Sequence, residues 1–198
     1  LKEKILSNID YFIKNKDWFI DRGLPYKKTI VFSGPPGTGK TSFIKTIASE
    51  FDKSVYVINI SQLGDSTFEK AITTVPANSI IIIEDFDSCE ATHSRIEKDD
   101  EDNTEKEKEK DKAISLTTIL NTLDGIISLN GTIIFMTTNH IEKIDSALLR
   151  KGRVDEIYEI PLLKTEEIRE YISLMFPEEK IDDATFKDIS GCDLQSIF

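Results

Sequence analysis

The chain has 198 residues and a formal net charge of −11, long enough for one α/β domain and part of another. The acidic balance argues against a basic nucleic-acid footprint and against electrostatic attachment to anionic lipid. Two cysteines, Cys89 and Cys192, lie far apart with no CxxC partner, the pattern of reduced thiols in a reducing compartment and not of a disulfide framework.

The first residue is Leu1 and not Met, the start expected of a piece cut from a longer protein. No signal peptide and no apolar run of membrane-spanning length occurs in the sequence, and an anchor upstream stays open. From Leu1 to Trp18, Ile5, Ile9, Phe12 and Ile13 recur at helical spacing. Arg22-Gly23-Leu24-Pro25-Tyr26 reads as a turn. Lys28-Thr29-Ile30-Val31-Phe32-Ser33 then reads as a buried parallel strand.

Gly34-Pro35-Pro36-Gly37-Thr38-Gly39-Lys40-Thr41 comes next, with Ser42 beyond it. It meets the phosphate-loop pattern Gly-x-x-x-x-Gly-Lys-[Ser/Thr] at every fixed position, between a strand and a helix that begins with Phe43, Ile44 and Ile47 at helical spacing. Glycines let the backbone curl around an anion. Successive amides then point inward, and the helix adds its positive end. Lys40 is placed to bridge β- and γ-phosphates, and the Thr41 hydroxyl to hold Mg²⁺.

Further on, Ser54 to Ile60 alternates as a strand, and Asp65 to Val75 reads as a helix facing inward through Phe68, Ile72 and Val75. Ile80 to Ile83 is an uninterrupted aliphatic run, as in a central strand covered on both faces. Glu90 to Lys112 is nearly all charged and cannot bury enough surface to offset its ordering entropy, so it is expected to be a mobile insertion. Ala113 to Leu129 resumes helical periodicity, and Thr132 to Thr138 is the next strand. Asp145 to Leu149 reads as a short capped helix, Glu156 to Ile160 as a last strand ended by Pro161. Helical patterns alone remain: Glu166 to Phe176, Asp182 to Ile189, and Asp193 onward.

This alternation predicts an α/β fold, a doubly wound parallel five-stranded sheet with helices on both faces and a partial helical lid after it. The expected divisions are a helical lead-in at 1–27, a core at 28–161 with the insertion at 90–112, and a lid at 162–198.

Three further groups bear on chemistry. The aliphatic strand ends in Glu84-Asp85, with Asp87 beyond; one carboxylate steadies a Mg²⁺ shell and the next orients an attacking water. Asn139 ends the next strand, where ligands of such sheets bind, and its amide can reach a γ-phosphate. Arg150 and Arg153 flank Lys151-Gly152; guanidinium groups match phosphate oxygens and serve as fingers reaching a neighbour's site, although a basic turn after a short helix has the same spacing. His93 and His140 have no partners at metal-ligand spacing.

Together these residues resemble the AAA ATPases, and within them the branch of mitochondrial inner-membrane chaperones that translocate the Rieske iron-sulfur protein. The resemblance runs from about Trp18 to Asp155, more weakly to Phe198. Its most specific pieces are Trp18 to Tyr26, the phosphate loop through Ile44, Glu84-Asp85-Phe86-Asp87, Leu123-Asp124-Gly125, Ile134 to His140, and Asp145 to Asp155. Most AAA proteins carry Asp-Glu at the strand end; the inverted Glu-Asp here is similar to that branch. The resemblance implies ATP hydrolysis with Mg²⁺ in a homo-oligomeric ring acting on a protein client, with Glu84 in the metal slot, Asp85 in the water-activating slot, Asn139 as γ-phosphate sensor, and Arg150 and Arg153 as fingers. It also implies attachment to the mitochondrial inner membrane as part of a longer protein. Ser61 to Asp65 lacks the aromatic pore loop of peptide-threading rings, which agrees with folded cargo. Gly191 to Phe198 resembles a lid start without a second sensor arginine.

Two other readings stand beside this one. An ATP-binding assembly scaffold with negligible turnover is compatible with the short Asp85 side chain in the water slot. A DNA-directed motor is opposed by the acidic balance and by the absence of a basic or aromatic stripe.

Overall fold

Ile80, Ile81, Ile82 and Ile83 are all buried, and a strand apolar on both faces must be covered on both. The computed structural model describes residues 1–93, 114–124, 130–177 and 187–195. In it, β1 (Lys28–Ser33), β2 (Val55–Asn59), β3 (Ile80–Glu84), β4 (Ile133–Thr138) and β5 (Glu156–Glu159) form one five-stranded sheet in the order β2-β3-β4-β1-β5. Every pairing is parallel, so the expected sheet is the observed one.

The side chains divide by strand alternation. Ile30, Phe32, Ile80, Ile82, Ile133 and Phe135 point to one face, where α1 (Lys2–Lys14) and α3 (Lys40–Glu50) bring Ile5, Ile9, Ile44 and Ile47. Val31, Ile81, Ile83, Ile134 and Met136 point to the other, which receives Phe68 and Ile72 of α4 (Asp65–Thr73) and Ile119 and Leu123 of α5 (Leu116–Leu123). Each such side chain contributes roughly 1.5–3 kcal/mol through burial. Ser115 starts α5 by accepting the Thr118 amide, and its own amide donates to Asp65 Oδ1 at 2.6 Å, tying α5 to the start of α4.

Four stretches differ from expectation. The stripe at 1–18 is two helices, α1 and α2 (Lys16–Asp21). Between them, the Asn15 side chain donates to the Tyr11 carbonyl at 2.7 Å, competing with the helical ladder. Asp145 to Leu149 is a turn and not a helix, because Asp145 Oδ1 takes the Ala147 amide and the Asp145 carbonyl takes the Leu148 amide. The charged stretch begins inside the core: Thr92 is fully buried, its hydroxyl donating to the Phe86 or Cys89 carbonyl, and His93 forms an antiparallel bridge with Ile144. The remainder of the expected insertion, from residue 94, lies outside the described residues. In the tail, α6 (Thr165–Met175) and α7 (Gly191–Gln195) are helical, whereas Ile189, expected at a helix end, is extended and bridges Leu163; residues 182–186 of that expected helix lie outside the described residues.

Candidate nucleotide-binding site

The strand order fixes which loops meet. β4 lies between β1 and β3, so the chain leaving β4 emerges between the glycine-rich loop after β1 and the acids after β3. In register, Ser33 stands beside Thr138 and Ile83 beside Met136. A cleft of about 300 Å³ opens at these carboxyl ends, lined by Pro36, Gly37, Gly39, Lys40, Thr41, Ser42, Glu84, Asp85, Thr137, Asn139 and Cys192. It lies where open α/β sheets bind ligands.

The loop leaves β1 through Gly34, whose φ is +146° and whose Cβ, were there one, would lie 2.2 Å from the Ile160 carbonyl oxygen. Only glycine lets the loop pass that close to β5. Its amide donates to the Thr138 carbonyl, holding the loop on β4. Thr38 closes the bend by donating to the Pro35 carbonyl at 2.9 Å, and α3 begins after Gly39.

Lys40 is buried. Its ammonium donates to the carbonyls of Gly34 and Pro35 at 2.7 and 2.8 Å and to Asn139 Oδ1 at 2.8 Å. An ammonium has three protons, so these acceptors account for all of them. Burial lowers the Lys40 pKa, opposed by the negative charges of Asp85 and Asp87. Next to it, the Thr41 hydroxyl donates to Glu84 Oε1 at 2.9 Å, bringing a neutral and an anionic oxygen together. That donor set suits Mg²⁺, a hard cation that takes few protein ligands and keeps several waters and phosphate oxygens. Among the described residues, no group of three or more His, Cys, Asp or Glu side chains is arranged to hold a metal.

Asp85 is a non-glycine residue in the left-handed region, with φ 46° and ψ 51°. Strain of this kind collects at functional sites. Its amide donates to the Thr137 hydroxyl at 3.3 Å, and its side chain is exposed in the cleft. Asp87 turns back to accept the Asn139 amide at 3.2 Å, fixing the backbone whose side chain reaches Lys40.

Of the expected residues, Pro36, Gly37, Gly39, Lys40, Thr41, Ser42, Glu84, Asp85 and Asn139 line the cleft, and Gly34, Pro35 and Thr38 shape the loop without lining it. Arg150 and Arg153 do not line it; Arg150 is exposed, and Arg153 is held by Asp124 through Nε and Nη2 at 2.6 and 2.8 Å and by the Ala147 carbonyl at 2.6 Å. The Arg153 hydrogen bond holds the Asp124 carboxyl below its ordinary pKa, and Asp124 raises that of Arg153 in turn.

Two contributions were not anticipated from sequence. Thr137 lines the cleft and accepts the Asp85 amide; as an ordinary residue near a strand end it carries no pattern that signals this role. Cys192 enters from the tail: its amide donates to the Gly37 carbonyl at 3.2 Å, and a Cβ on Gly37 would meet Ser190 Oγ at 2.8 Å. No local signal in the sequence pairs positions so far apart.

The family model described as "ATPase family associated with various cellular activities (AAA)" matches residues 30–162. A probable mitochondrial chaperone BCS1-B of Dictyostelium discoideum is 34% identical over 197 residues, covering 89% of this chain and 43% of that protein. The probable mitochondrial chaperone bcs1 of Schizosaccharomyces pombe is 33% identical over 206 residues, covering 100% of this chain and 44% of its own length. The mitochondrial chaperone BCS1 of Homo sapiens is 34% identical over 157 residues, 78% of this chain and 36% of that protein. The chain therefore spans less than half the length of these relatives. With the match running from β1 past β5 and the cleft inside it, this chain carries an AAA ATPase domain and belongs to the AAA family.

Proposed function

We propose that this chain is the Mg²⁺-dependent ATP-hydrolysing motor of an oligomeric, chaperone-like assembly that remodels or moves a protein client. The observation that carries the reading is the junction of three loops at one point: Lys40 held between loop carbonyls and Asn139, with the Thr41–Glu84 pair beside it.

In this reading the loop from Gly34 to Ser42 receives the triphosphate. Lys40 exchanges Asn139 or a loop carbonyl for phosphate oxygen, and the inward amides and α3 dipole add to the binding. Thr41 and Glu84 hold the metal, which when bound supplies charge neutralisation to the phosphates. Asp85, exposed in the cleft, orients the attacking water and draws its proton. Asn139 senses the terminal phosphate through the side chain that now faces Lys40. Arg150 and Arg153 act on a neighbouring subunit's phosphate, where an arginine finger is worth on the order of 10³ in rate or more.

The division into a lead-in at 1–27, a motor at 28–161 and a lid at 162–198 belongs to the same proposal. Relatives named as mitochondrial chaperones support a mitochondrial setting. No helix among the described residues is long and apolar enough to cross a membrane, so attachment to the inner membrane is proposed for other parts of the full protein. The absence of an aromatic residue from Ser61 to Asp65 favours a folded client over a threaded one.

The test is steady-state phosphate release by the assembled protein, alongside calorimetric ATP binding. Asp85→Asn is expected to bind ATP and lose turnover; Lys40→Ala is expected to lose both. An Asp85→Asn protein as fast as its parent refutes the role given to Asp85. Tight binding without release by the parent would favour an assembly scaffold.

A further inference from the structure

His93 is not used by this scheme, yet it stands between two of its parts. Asp85 is carried by the turn after β3 and Asn139 by the chain leaving β4. The turn continues as one 3-10 turn, Phe86–Ser88, and two consecutive residues take the carbonyls around it. Thr92 donates its hydroxyl to the Phe86 or the Cys89 carbonyl, and its amide to the Cys89 carbonyl at 2.9 Å. His93 Nε2 lies 2.7 Å from the Asp87 carbonyl oxygen. A carbonyl only accepts, so Nε2 carries the proton. On its other side the same short strap meets the chain after β4: the Thr92 carbonyl accepts the Asp145 amide at 2.7 Å, and His93 bridges Ile144.

Thr92 and His93 contribute differently. Thr92 is fully buried, so its loss would be felt as stability. His93 is half-buried, and its ring supplies one directed contact. That contact falls on the residue whose carboxylate accepts the Asn139 amide at 3.2 Å. Asp87 is thus held twice, by the imidazole at its carbonyl and by the Asn139 amide at its side chain. Without the imidazole the Asp87 peptide is free to turn toward water, and the bond to Asn139, the longer of the two, is the first to be lost. Asn139 in turn aims the side chain that meets Lys40 at 2.8 Å.

We propose that His93 is a positioning residue for Asn139, acting through Asp87: the imidazole fixes the Asp87 peptide, and the Asp87 carboxylate fixes the backbone that aims the Asn139 side chain. The proposal rests on the γ-phosphate role given to Asn139 above. His93 does not line the cleft, and Lys40 and the loop amides keep their places without it. Its effect therefore falls on the chemical step, where a small misplacement is costly, and not on ATP affinity.

Two variants separate the donor from the ring. His93→Phe keeps an aromatic ring and removes the N–H; His93→Gln offers an amide nitrogen at comparable reach. In the assembled protein, His93→Phe is expected to lower kcat about tenfold with calorimetric ATP affinity unchanged, and His93→Gln to recover most of the loss. In an Asp87→Ala background, His93→Phe is expected to have no further effect. A His93→Phe protein as fast as its parent, equal losses in both variants, or an ATP affinity that falls with kcat would overturn the positioning role and leave the proposed motor standing.

Hydrogen exchange at the Asn139 amide tests the geometry without turnover. The amide is expected to exchange about fivefold faster in His93→Phe and at the parent rate in His93→Gln. Unchanged exchange in His93→Phe, or a His93→Gln protein that fails to fold, would overturn the proposal by making His93 a packing group. If exchange responds as expected but the parent releases no phosphate, the motor reading fails, and the role of His93 in hydrolysis fails with it.

Discussion

Arg153 and Asp124 meet in a two-nitrogen fork, Nε to Oδ1 at 2.6 Å and Nη2 to Oδ2 at 2.8 Å, across 29 residues of sequence. The fork joins the end of α5 to the turn before β5, and it has a measurable acid signature. The Asp124 carboxyl is held below its ordinary pKa of 3.8, chiefly by the Arg153 hydrogen bond. A depressed folded-state pKa means that the contribution is complete above the unfolded value and is lost as pH falls through the folded one. The Tm difference between the parent and Asp124→Asn is therefore expected to be constant from neutrality to about pH 5 and to close below about pH 4. A gap that persists at lower pH would show that the fork does not supply it.

Asn139 faces Lys40 with the only side-chain acceptor among that lysine's partners. Asn139→Ala removes an acceptor that phosphate replaces, so ATP affinity should change little while turnover falls. Asn139→Asp sets a fixed anion against the ammonium and competes with the ligand. Its ATP affinity is expected to fall about tenfold or more, the effect of about 1.4 kcal/mol. Isothermal titration of both variants separates the two outcomes, and equal affinities would contradict the exchange.

Arg150 and Lys40 are proposed to serve different subunits, which makes them separable by mixing. Arg150 is exposed, so Arg150→Ala should leave Tm unchanged while lowering turnover on the order of 10³. Lys40→Ala should be inactive in its own cleft. Mixed assemblies contain some interfaces with an intact Lys40 on one side and an intact Arg150 on the other, and should regain turnover that neither parent variant has. No recovery in assemblies verified as mixed would place Arg150 outside a neighbour's site.

Gly34 carries a structural demand of its own. A methyl group there would lie 2.2 Å from the Ile160 carbonyl oxygen at a φ of +146°. Gly34→Ala is expected to destabilise by more than about 3 kcal/mol, in the range reserved for steric and backbone strain, lowering Tm by roughly 2–4 °C for each kcal/mol. Gly23 is the comparison: at φ +62°, a methyl group there would have nothing within 4 Å, so its alanine variant meets only the backbone cost. Equal Tm losses would show that the Ile160 contact is not what matters.

Much of this was readable in the chain because periodicity and burial are local. Ile80 to Ile83 announced a strand covered twice, and the glycine-rich loop announced its own position between β1 and α3. The residues of the cleft could be named because they lie in the glycine-rich loop or at the ends of β3 and β4, and parallel strands end on the same side. Side-chain competition was harder to read. Asn15 breaks a helix by reaching back to Tyr11, and Asp145 makes a turn by taking the Ala147 amide. Both contacts depend on one rotamer each. Thr92 was read as part of a charged stretch because its neighbours are charged, yet it is fully buried by what folds over it. The contact between Cys192 and Gly37 joins positions that no periodicity links.

That last contact has a mechanical meaning. The tail is clasped at its base, where Leu163 and Ile189 exchange amide hydrogen bonds at 2.9 and 3.2 Å, and Cys192 donates from it to the Gly37 carbonyl of the glycine-rich loop at 3.2 Å. Amide bonds fade within roughly 0.5 Å beyond that length. A small displacement of the loop is thus enough to trip this tether, while the clasp keeps the pivot in place.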